Sequence, residues 1–477
     1  MWGMSSPPIT PEQLAALPPE FRALLQTVID HYETRIIQLE GRIAELEARL
    51  NKTPQNSSLP PSAQHPHAKP PTKKAKSKKK RGGQPGHAKH ERPLIPTDQC
   101  DDVQSHKPTE CRRCGAKLRG RDPEPLRHQL WEVPEIKPHV TEHQRHRLAC
   151  PSCGETTCAK LPAGVPTGQA GPRLIALTAL LMGCFRQSKS RVALFLEQVL
   201  QQPCSTGWVV KLQNQSTEAL RPAYDELASQ LPNQPILAMD ETPTKEGAAK
   251  SWLWTYVASA FTVFAVRPSR EATAVRDLLG EDFEGVVHCD RARMYLSLSR
   301  LQWCWAHLKR DFQALIDNGD NQAKRLGRDL MRPTREMFRL WARYRDGTLT
   351  RLGWKRLMGP IRDEIDALLL RGRWSGNRRL VGMCQELYDH RDWLWTFLDV
   401  EGVEPTNNAS ERALRHAVIW RKLSFGTQSA AGSRFVETIL TVVETCRQQA
   451  RYVFAYLTNA VEARFTGQFP PSLLPRA

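Results

Sequence analysis

Three carboxylates are the residues of this chain best placed, by type and position, to do chemistry. Asp240 and Asp290 each follow a short, mainly apolar run, Pro235–Met239 and Gly285–Cys289, that predicts a buried strand. Ligands bind at the carboxyl ends of strands in α/β sheets. Two carboxylates on neighbouring strand ends repel each other unless a cation joins them, and Mg²⁺ takes oxygen ligands. The pattern predicts a divalent-metal site for phosphodiester displacement.

A two-metal site needs a third carboxylate, and Glu411 is the best candidate. It lies at the start of a predicted helix, roughly Asn408–Arg421. An alternative stays open, because Asn408 followed three residues later by Glu411 is close to a capping box, in which the glutamate only satisfies a backbone amide. Taken alone, this segment favours the capping role. The three acids in this order favour the metal site.

Two Cys-x2-Cys pairs predict a second, structural metal. Each pair is followed by Gly, which permits the tight turn that directs amides at sulfur, and four thiolates are a typical tetrahedral Zn²⁺ site. The gap of 35 residues between the pairs is long, and strand-like Gln129–Val133 and Val140–Leu148 are predicted to fill it. The candidate zinc ligands are Cys111, Cys114, Cys150 and Cys153.

Composition indicates a polyanionic partner. The 477 residues carry 68 Lys and Arg against 50 Asp and Glu, a formal net charge of +18, which favours nucleic acid. The longest mostly apolar run, Leu174–Phe185, is too short to span a bilayer. The first residues lack a basic and then an apolar region, so no signal peptide is predicted. We expect a cytoplasmic, nucleoid-associated protein whose 12 cysteines are reduced or metal-bound.

The N-terminal region, residues 20–51, has a heptad repeat. Ile at position a with Leu at position d favours a parallel two-stranded coiled coil, and Arg35 of one chain would meet Glu40 of the other. The prediction is a homodimer; the alternative is a single amphipathic helix packed on its own chain. The heptad residues are Leu25, Ile29, Tyr32, Ile36, Leu39, Ile43, Leu46 and Leu50.

Residues 52–97 form a Pro- and Lys-rich segment with almost no apolar residues. Such a segment does not fold alone, and we predict a flexible basic arm that contacts DNA phosphates, the alternative being a solvated linker. The candidate contacts are Lys73, Lys74, Lys78, Lys79, Lys80 and Arg81. The predicted zinc ribbon, residues 98–165, follows.

Residues 171–231 predict successive helices, with Ser190 and Ser205 as N-caps. A helix, a short turn and a capped helix outline a helix-turn-helix DNA-binding domain, with Lys211 as a candidate contact. An ordinary helical hairpin is equally compatible.

The remaining chain predicts a core in two parts. Residues 232–318 alternate strands and helices, residues 319–400 are helical throughout, and residues 401–450 bring the third acid, before a C-terminal helix and tail at 451–477. His307, Arg310 and Arg412 are candidate phosphate contacts. Trp303 and Trp305 are more consistent with core packing than with wedging DNA bases.

Several motifs together resemble the transposases of the insertion-sequence-66 family over nearly the whole chain. They include the heptad, both Cys pairs, and the segments Asn56–Ser62, Gly82–His87, Met239–Thr242, Cys304–Arg310 and Asn407–Arg412. The resemblance implies a multidomain α/β protein with a ribonuclease-H-like core and an all-helical insertion between the second and third acids. It also implies that Asp240, Asp290 and Glu411 hold two Mg²⁺ or Mn²⁺ ions.

The expected function is a DDE-type transposase that binds the ends of an insertion sequence, cleaves them and joins them to target DNA. Its partner would be double-stranded DNA. Two alternatives remain: a catalytically inactive DNA-binding repressor or scaffold, and a structure-selective nuclease of the same fold.

Overall fold

The computed structural model describes residues 16–50 and 92–475. The chain divides into two compact units, and the larger holds residues 145–192 and 205–475 together with the N-terminal helix. The smaller holds residues 92–144 and 193–204 of the described chain. No helix within the described ranges combines the length and apolar character that a membrane span requires. The six candidate phosphate contacts of the basic arm, Lys73 to Arg81, lie outside the described residues.

A five-stranded mixed sheet forms the centre of the larger unit. Its strands are β3 (Ile236–Glu246), β4 (Ala249–Val257), β5 (Thr262–Arg267), β6 (Val286–Cys289) and β7 (Leu301–Trp303). The order is β5-β4-β3-β6-β7, where β3, β4 and β5 are antiparallel and β6 and β7 run parallel to β3. A helix, α5 (Ala272–Leu279), connects the antiparallel part to β6.

The predicted end of the first strand was wrong. β3 does not stop before Asp240 but continues to Glu246, and Asp240 pairs with Thr255 of β4. The hairpin with β4 keeps β3 extended, because Ala249–Val257 supplies a partner along its whole second half. The parallel pairing with β6, in contrast, stops at Ala238 and His288.

Helix α12 (Ala430–Gln448) covers the outer edge of β5. The backbone amides of Thr262, Phe264 and Val266 donate to side chains of the helix at 3.1, 2.9 and 3.0 Å. The acceptors are Thr445, Thr441 and Glu437. The spacing fits because four helical residues rise about 6 Å and two strand residues about 6.6 Å. An edge that would otherwise offer free amides to another chain is thereby satisfied.

After β7, the region between the second and third acids is helical, as predicted for residues 319–400. It contains α6 (Trp305–Asn318), α7 (Asn321–Arg345), α8 (Arg351–Arg373), α9 (Arg378–Asp389) and α10 (Asp392–Asp399). Aromatic side chains join it to the core: the Trp305 ring lies 5.0 Å from that of Trp395, which is 5.9 Å from Phe397. The chain then returns through α11 (Asn408–Ser424), beside β3 and β4.

Three further helices complete the larger unit. These are α2 (Pro172–Gly183), α4 (Thr206–Ser229) and α13 (Val453–Phe465), which pack on one another. Ser205 caps α4 as predicted, because its hydroxyl accepts from the Trp208 amide at 3.2 Å. Helix α3 (Lys189–Leu200) begins earlier than predicted, and Ser188 rather than Ser190 accepts from the amide of Arg191.

The N-terminal segment is a continuous helix, α1 (Pro19–Leu50). Five of its heptad side chains are exposed, those of Tyr32, Ile36, Leu39, Ile43 and Leu46; Leu46 is 42% exposed and Ile43 55%.

The cysteine-rich segment has less strand than predicted. Its strands are β1 (Arg147–Ala149) and β2 (Thr156–Cys158), which pair antiparallel around the second Cys pair. The predicted strand at Gln129–Val133 was wrong, and of Val140–Leu148 only the last two residues are extended in a ladder. Gln129 instead makes side-chain hydrogen bonds to both the amide and the carbonyl of Ile95, which imitate a strand pair.

Candidate active site

Asp240 and Asp290 lie at the same level of two adjacent parallel strands. The last paired residues of β3 and β6 are Ala238 and His288, and each aspartate stands two residues further along. Side chains two residues apart project from the same face of a strand, so both carboxylates share one face at the point where the strands separate. The Asp240 carboxylate accepts from the Glu241 amide, and Asp290 from the Ala292 amide, both at 2.9 Å.

Glu411 reaches this site on the first turn of α11. The N-cap of α11 is Asn407, which makes no side-chain capping bond, so Glu411 is the fourth helical residue rather than the third. The capping box considered from the sequence is therefore absent at this helix start, and Glu411 is left available. Its carboxylate lies 3.9 Å from the ring of His307, on α6.

Burial has the largest effect on the pKa of Asp240, and the charges of Asp290 and Glu411 also act on it. Burial, the charge of Glu241, and then the charges of Asp290 and Glu411 raise the pKa of Asp240 to about 8. A buried carboxyl group that also lies near other acids is stabilised by a bound proton or by a cation. The arrangement is suited to binding divalent metal.

Glu241 belongs to a separate interaction. Its carboxylate is 3% exposed and accepts from the Tyr295 hydroxyl at 2.7 Å and from the Arg270 guanidinium at 2.5 Å. Burial raises the pKa of Glu241, and the bonds from Tyr295 and Arg270 oppose the increase. Both carboxylate oxygens of Glu241 are thus occupied by hydrogen bonds, to Arg270 and to Tyr295.

His307, Cys304 and Glu411 place their ligand atoms within 4.8 Å of one another. Cys304 is a poor metal ligand here, because burial raises the pKa of its thiol and its sulfur accepts from the Asn407 amide at 3.2 Å. His307 is held neutral, since burial and then Arg310 lower its pKa. Its Nδ1 atom is buried without a hydrogen-bond partner in the described chain.

The other residues considered as DNA contacts differ in their exposure. Trp303 and Trp305 are fully buried, as the packing interpretation required. Lys211 and Arg412 are exposed on α4 and α11, and Arg310 is partly exposed on α6. Asp311, which shares a helix face with His307, is occupied by an ion pair with Arg291 at 2.8 Å.

The two Cys pairs have the same local fold. In each, the first cysteine amide donates to a carbonyl five residues ahead at 2.8 Å, and the following glycine amide donates back at 2.9 Å. Gly115 and Gly154 adopt φ of +70° and +75°, a conformation that favours glycine. Backbone amides lower the pKa of Cys111, chiefly that of Arg113, and of Cys150, chiefly that of Cys153.

Comparison with known families identifies the chain. The model of the IS66 transposase family matches residues 167–434, which contain all three acids and the helical insertion. The chain belongs to this family. Residues 108–154 match the zinc-finger binding domain of IS66 transposase, a stretch that includes the four candidate cysteines. Residues 8–93 match a family of unknown function.

Two curated relatives come from Sinorhizobium fredii (strain NBRC 101917 / NGR234). Uncharacterized protein y4qI is 25% identical over 235 residues, 43% of this chain and 42% of the relative. Uncharacterized protein y4hP is 24% identical over 397 residues, 73% of this chain and 70% of the relative. The chain thus spans less than half the length of the first relative and about two thirds of the second.

Sequence reasoning missed the residues that position the acids. Asn407 is 2% exposed and donates through its side chain to the Met239 carbonyl at 2.7 Å. Arg291 joins the loop after Asp290 to α9 through Glu386 at 2.8 Å. Asn407 precedes the third acid by four residues, and a polar residue just before a helix start was the available signal.

Proposed function

We propose that this IS66-family transposase is a DDE-type enzyme in which Asp240, Asp290 and Glu411 hold two Mg²⁺ or Mn²⁺ ions. The observation that carries the proposal is geometric: Asp240 and Asp290 follow two adjacent parallel strands at the same level. Asn407, at the start of the helix that carries Glu411, is hydrogen-bonded to Met239, the residue before Asp240. The reaction is phosphodiester cleavage at the ends of an insertion sequence, followed by transfer of the freed 3′ hydroxyl to target DNA.

The residues at the site fit hard divalent cations. Carboxylate oxygens are the ligands that Mg²⁺ prefers, and the protonated Cys304 thiol does not compete. The side-chain oxygen of Asn407, whose amide nitrogen bonds the Met239 carbonyl, is also buried without a hydrogen-bond partner in the described chain. When bound, the ions supply an activated water and stabilise the leaving oxygen.

The protein's own side chains would position the acids, bind the DNA backbone and neutralise phosphate charge. Asn407 fixes the start of α11 against β3, and this sets the position of Glu411 relative to Asp240. His307, held neutral beside Glu411, is able to donate a hydrogen bond to a phosphate oxygen or to orient the carboxylate. Arg310 and Arg412 lie on the helices that carry His307 and Glu411 and would contact the DNA backbone.

The sheet order supports a ribonuclease-H-like core. Three antiparallel strands continue into two parallel ones, with the first acid on the central strand and the second after its parallel neighbour. The third acid comes from a helix beyond the insertion.

The helices α2, α3 and α4 would form the helix-turn-helix-like DNA-binding domain, with Lys211 toward DNA.

Four thiolates, from Cys111, Cys114, Cys150 and Cys153, would bind one structural Zn²⁺. The support is the matching local fold of the two pairs, in which amides stabilise the thiolate of each first cysteine. The basic arm, including Lys73, Lys74, Lys78, Lys79, Lys80 and Arg81, would add phosphate contacts. The exposed heptad of α1 supports a homodimer through a parallel coiled coil.

The decisive experiment is a cleavage and joining assay with the full-length protein, Mg²⁺ and the DNA that flanks its gene. Asp240→Asn, Asp290→Asn and Glu411→Gln should each abolish cleavage while binding of the same DNA survives. Asp282→Asn, which removes an exposed charge, is the control and should cleave normally. Full activity in any of the three would remove that residue from the site.

Two outcomes distinguish the alternative functions. A wild-type protein that binds the element ends without cutting them would be a repressor or scaffold. Cleavage without strand-transfer products would identify a nuclease.

A further inference from the structure

Helix α7, in the insertion, carries arginines in a pattern that the proposed active site does not use. Along its 25 residues stand eight Lys and Arg against two acids. Five of the arginines recur every three or four residues and are all exposed: Arg325, Arg328, Arg332, Arg335 and Arg339. At 100° per residue they fall within an arc of about 80°. We call this surface the arginine face.

The arginine face lies opposite the side of α7 that packs into the protein. The buried side includes Leu326, Leu330, Thr334 and Met337. The exposed arginines are therefore held in a row by a helix that is fixed from behind, and the row from Arg325 to Arg339 spans about 21 Å.

Such a row is costly for an isolated helix. Like charges three or four residues apart destabilise a helix by roughly 0.2–0.5 kcal/mol per pair, and surface helices usually interleave both signs. Two members have partners, since Arg332 pairs with Glu364 and Arg339 with Glu336. The other three, Arg325, Arg328 and Arg335, form no ion pair within the described part of the chain.

The choice of arginine over lysine is informative. Residues 319–400 contain fifteen arginines and two lysines. The guanidinium group is a planar fork that binds phosphate through two hydrogen bonds, whereas ammonium acts as a point charge. A shallow groove of about 460 Å³ beside α8, lined in part by Arg332, Arg335 and Arg339, adds concave surface to this side of α7.

Helix α7 also packs along α6, the helix that carries His307. Gly327 approaches α6 so closely that a Cβ atom there would meet the Phe312 carbonyl at 2.9 Å. The Lys309 ammonium reaches to 5.9 Å from the Phe338 ring. Helices α6 and α7 therefore run antiparallel, and the C-terminal half of α7 lies beside the half of α6 that carries His307.

We propose that the arginine face binds the phosphate backbone of double-stranded DNA and guides the duplex past the catalytic acids. Its length corresponds to about six base pairs, given roughly 3.4 Å per phosphate along one strand. The inference deepens the proposed function, since it assigns to the insertion the task of holding DNA during cleavage.

The test compares DNA binding by full-length variants as a function of salt. The triple variant Arg325→Gln, Arg328→Gln, Arg335→Gln removes only unpaired arginines. The matched control, Lys250→Gln, Arg300→Gln, Arg434→Gln, removes the same charge at exposed residues elsewhere that also form no ion pair within the described part of the chain. The probe is a 40-base-pair duplex of random sequence, titrated from 50 to 200 mM NaCl.

The slope of log Kd against log salt should be smaller for the triple variant than for wild type by about 2.7, because each phosphate contact contributes roughly 0.9. The ratio of its Kd to the Kd of wild type should therefore fall about 40-fold between 50 and 200 mM NaCl. The control should keep the wild-type slope. Equal slopes for the triple variant and the control would overturn the inference.

Two further readouts separate this inference from other outcomes. If wild type fails to cleave DNA but the triple variant still has a smaller salt slope than wild type, the arginine face binds DNA and the proposed function is wrong. Polyglutamate is the second probe: if the triple variant loses binding to it while duplex binding is unchanged, the face receives an acidic protein instead, which also overturns the inference.

Discussion

The side-chain amide of Asn407 donates a 2.7 Å hydrogen bond to the backbone carbonyl of Met239. Met239 immediately precedes Asp240 on β3, and Asn407 immediately precedes α11, whose first turn carries Glu411. One buried side chain thus connects two acids that are 171 residues apart in the sequence. Two further hydrogen bonds join the segment before α11 to the start of α6. The Trp305 amide donates to the Pro405 carbonyl at 2.9 Å, and the Asn407 amide donates to the Cys304 sulfur at 3.2 Å.

Replacement of Asn407 by Ala should therefore impair catalysis without removing any acid. The Met239 carbonyl would be left buried and unpaired, which costs about 1–3 kcal/mol, and Glu411 would lose its fixed distance from Asp240. We expect a lower kcat, a weaker apparent affinity for Mg²⁺ and a lower urea midpoint. Asn408→Ala, at the exposed neighbouring residue, is the control. Equal Mg²⁺ titrations for the two variants would show that Asn407 does not position the site.

The raised pKa of Asp240 predicts a pH-dependent stability of the metal-free protein. The unfolded chain loses this proton near the ordinary value of 3.8, whereas the folded protein keeps it until about pH 8. The folded state binds more protons in that window, so the free energy of unfolding should fall as pH rises from about 4 to 8. Mg²⁺ should reverse the loss near pH 8, because it takes the place of the proton.

Thermal unfolding in EDTA and in Mg²⁺ checks this directly. Asp240→Asn carries no titrating group, so its Tm in EDTA should decline less than that of wild type between pH 5 and pH 8. At pH 8 it should also gain less from Mg²⁺. Parallel curves for the two proteins in both conditions would rule out this account of the stability.

The sequence predicted the strands that hold Asp240 and Asp290 because local apolar runs indicate buried strands without knowledge of the fold. It misplaced the end of β3, because the second half, Thr242–Glu246, is extended only through its pairing with β4. Asn407 and Arg291 were not predicted, since their roles depend on partners such as Met239 and Glu386 that are distant in sequence. Those contacts exist only once the chain has folded.

The cover of the β5 edge by α12 predicts unequal effects for two neighbouring threonines. Thr441→Val keeps the shape but removes the acceptor of the Phe264 amide, and should destabilise the protein by about 1–3 kcal/mol. Thr438→Val is the matched control, because the Thr438 hydroxyl is buried without a hydrogen-bond partner in the described chain. That substitution should be neutral or stabilising. Urea unfolding measures both, and equal losses would contradict the role of Thr441.

The heptad of α1 predicts a dimer that two substitutions should dissociate. Ile36→Lys with Ile43→Lys places charges at two a positions, where a parallel coiled coil buries its side chains. The measured mass in light scattering should fall to that of a monomer. Ile37→Lys is the control, because Ile37 is 69% exposed and lies outside the a and d positions. A wild-type monomer, or a double variant that stays dimeric, would exclude this mode of assembly.

The two Cys pairs predict a single tightly held Zn²⁺. Cys111→Ser, Cys114→Ser, Cys150→Ser and Cys153→Ser should each lower the zinc content of the purified protein from about one equivalent toward zero, because a structural site needs all four ligands. Cys100→Ser and Cys158→Ser remove thiols outside the pairs and should retain the metal. Zinc loss should also lower DNA affinity while the folded core survives, since the pairs lie outside the sheet that carries the acids. Retention of zinc in any of the four pair variants would remove that cysteine from the site and would indicate Cys100 or Cys158 as the fourth ligand.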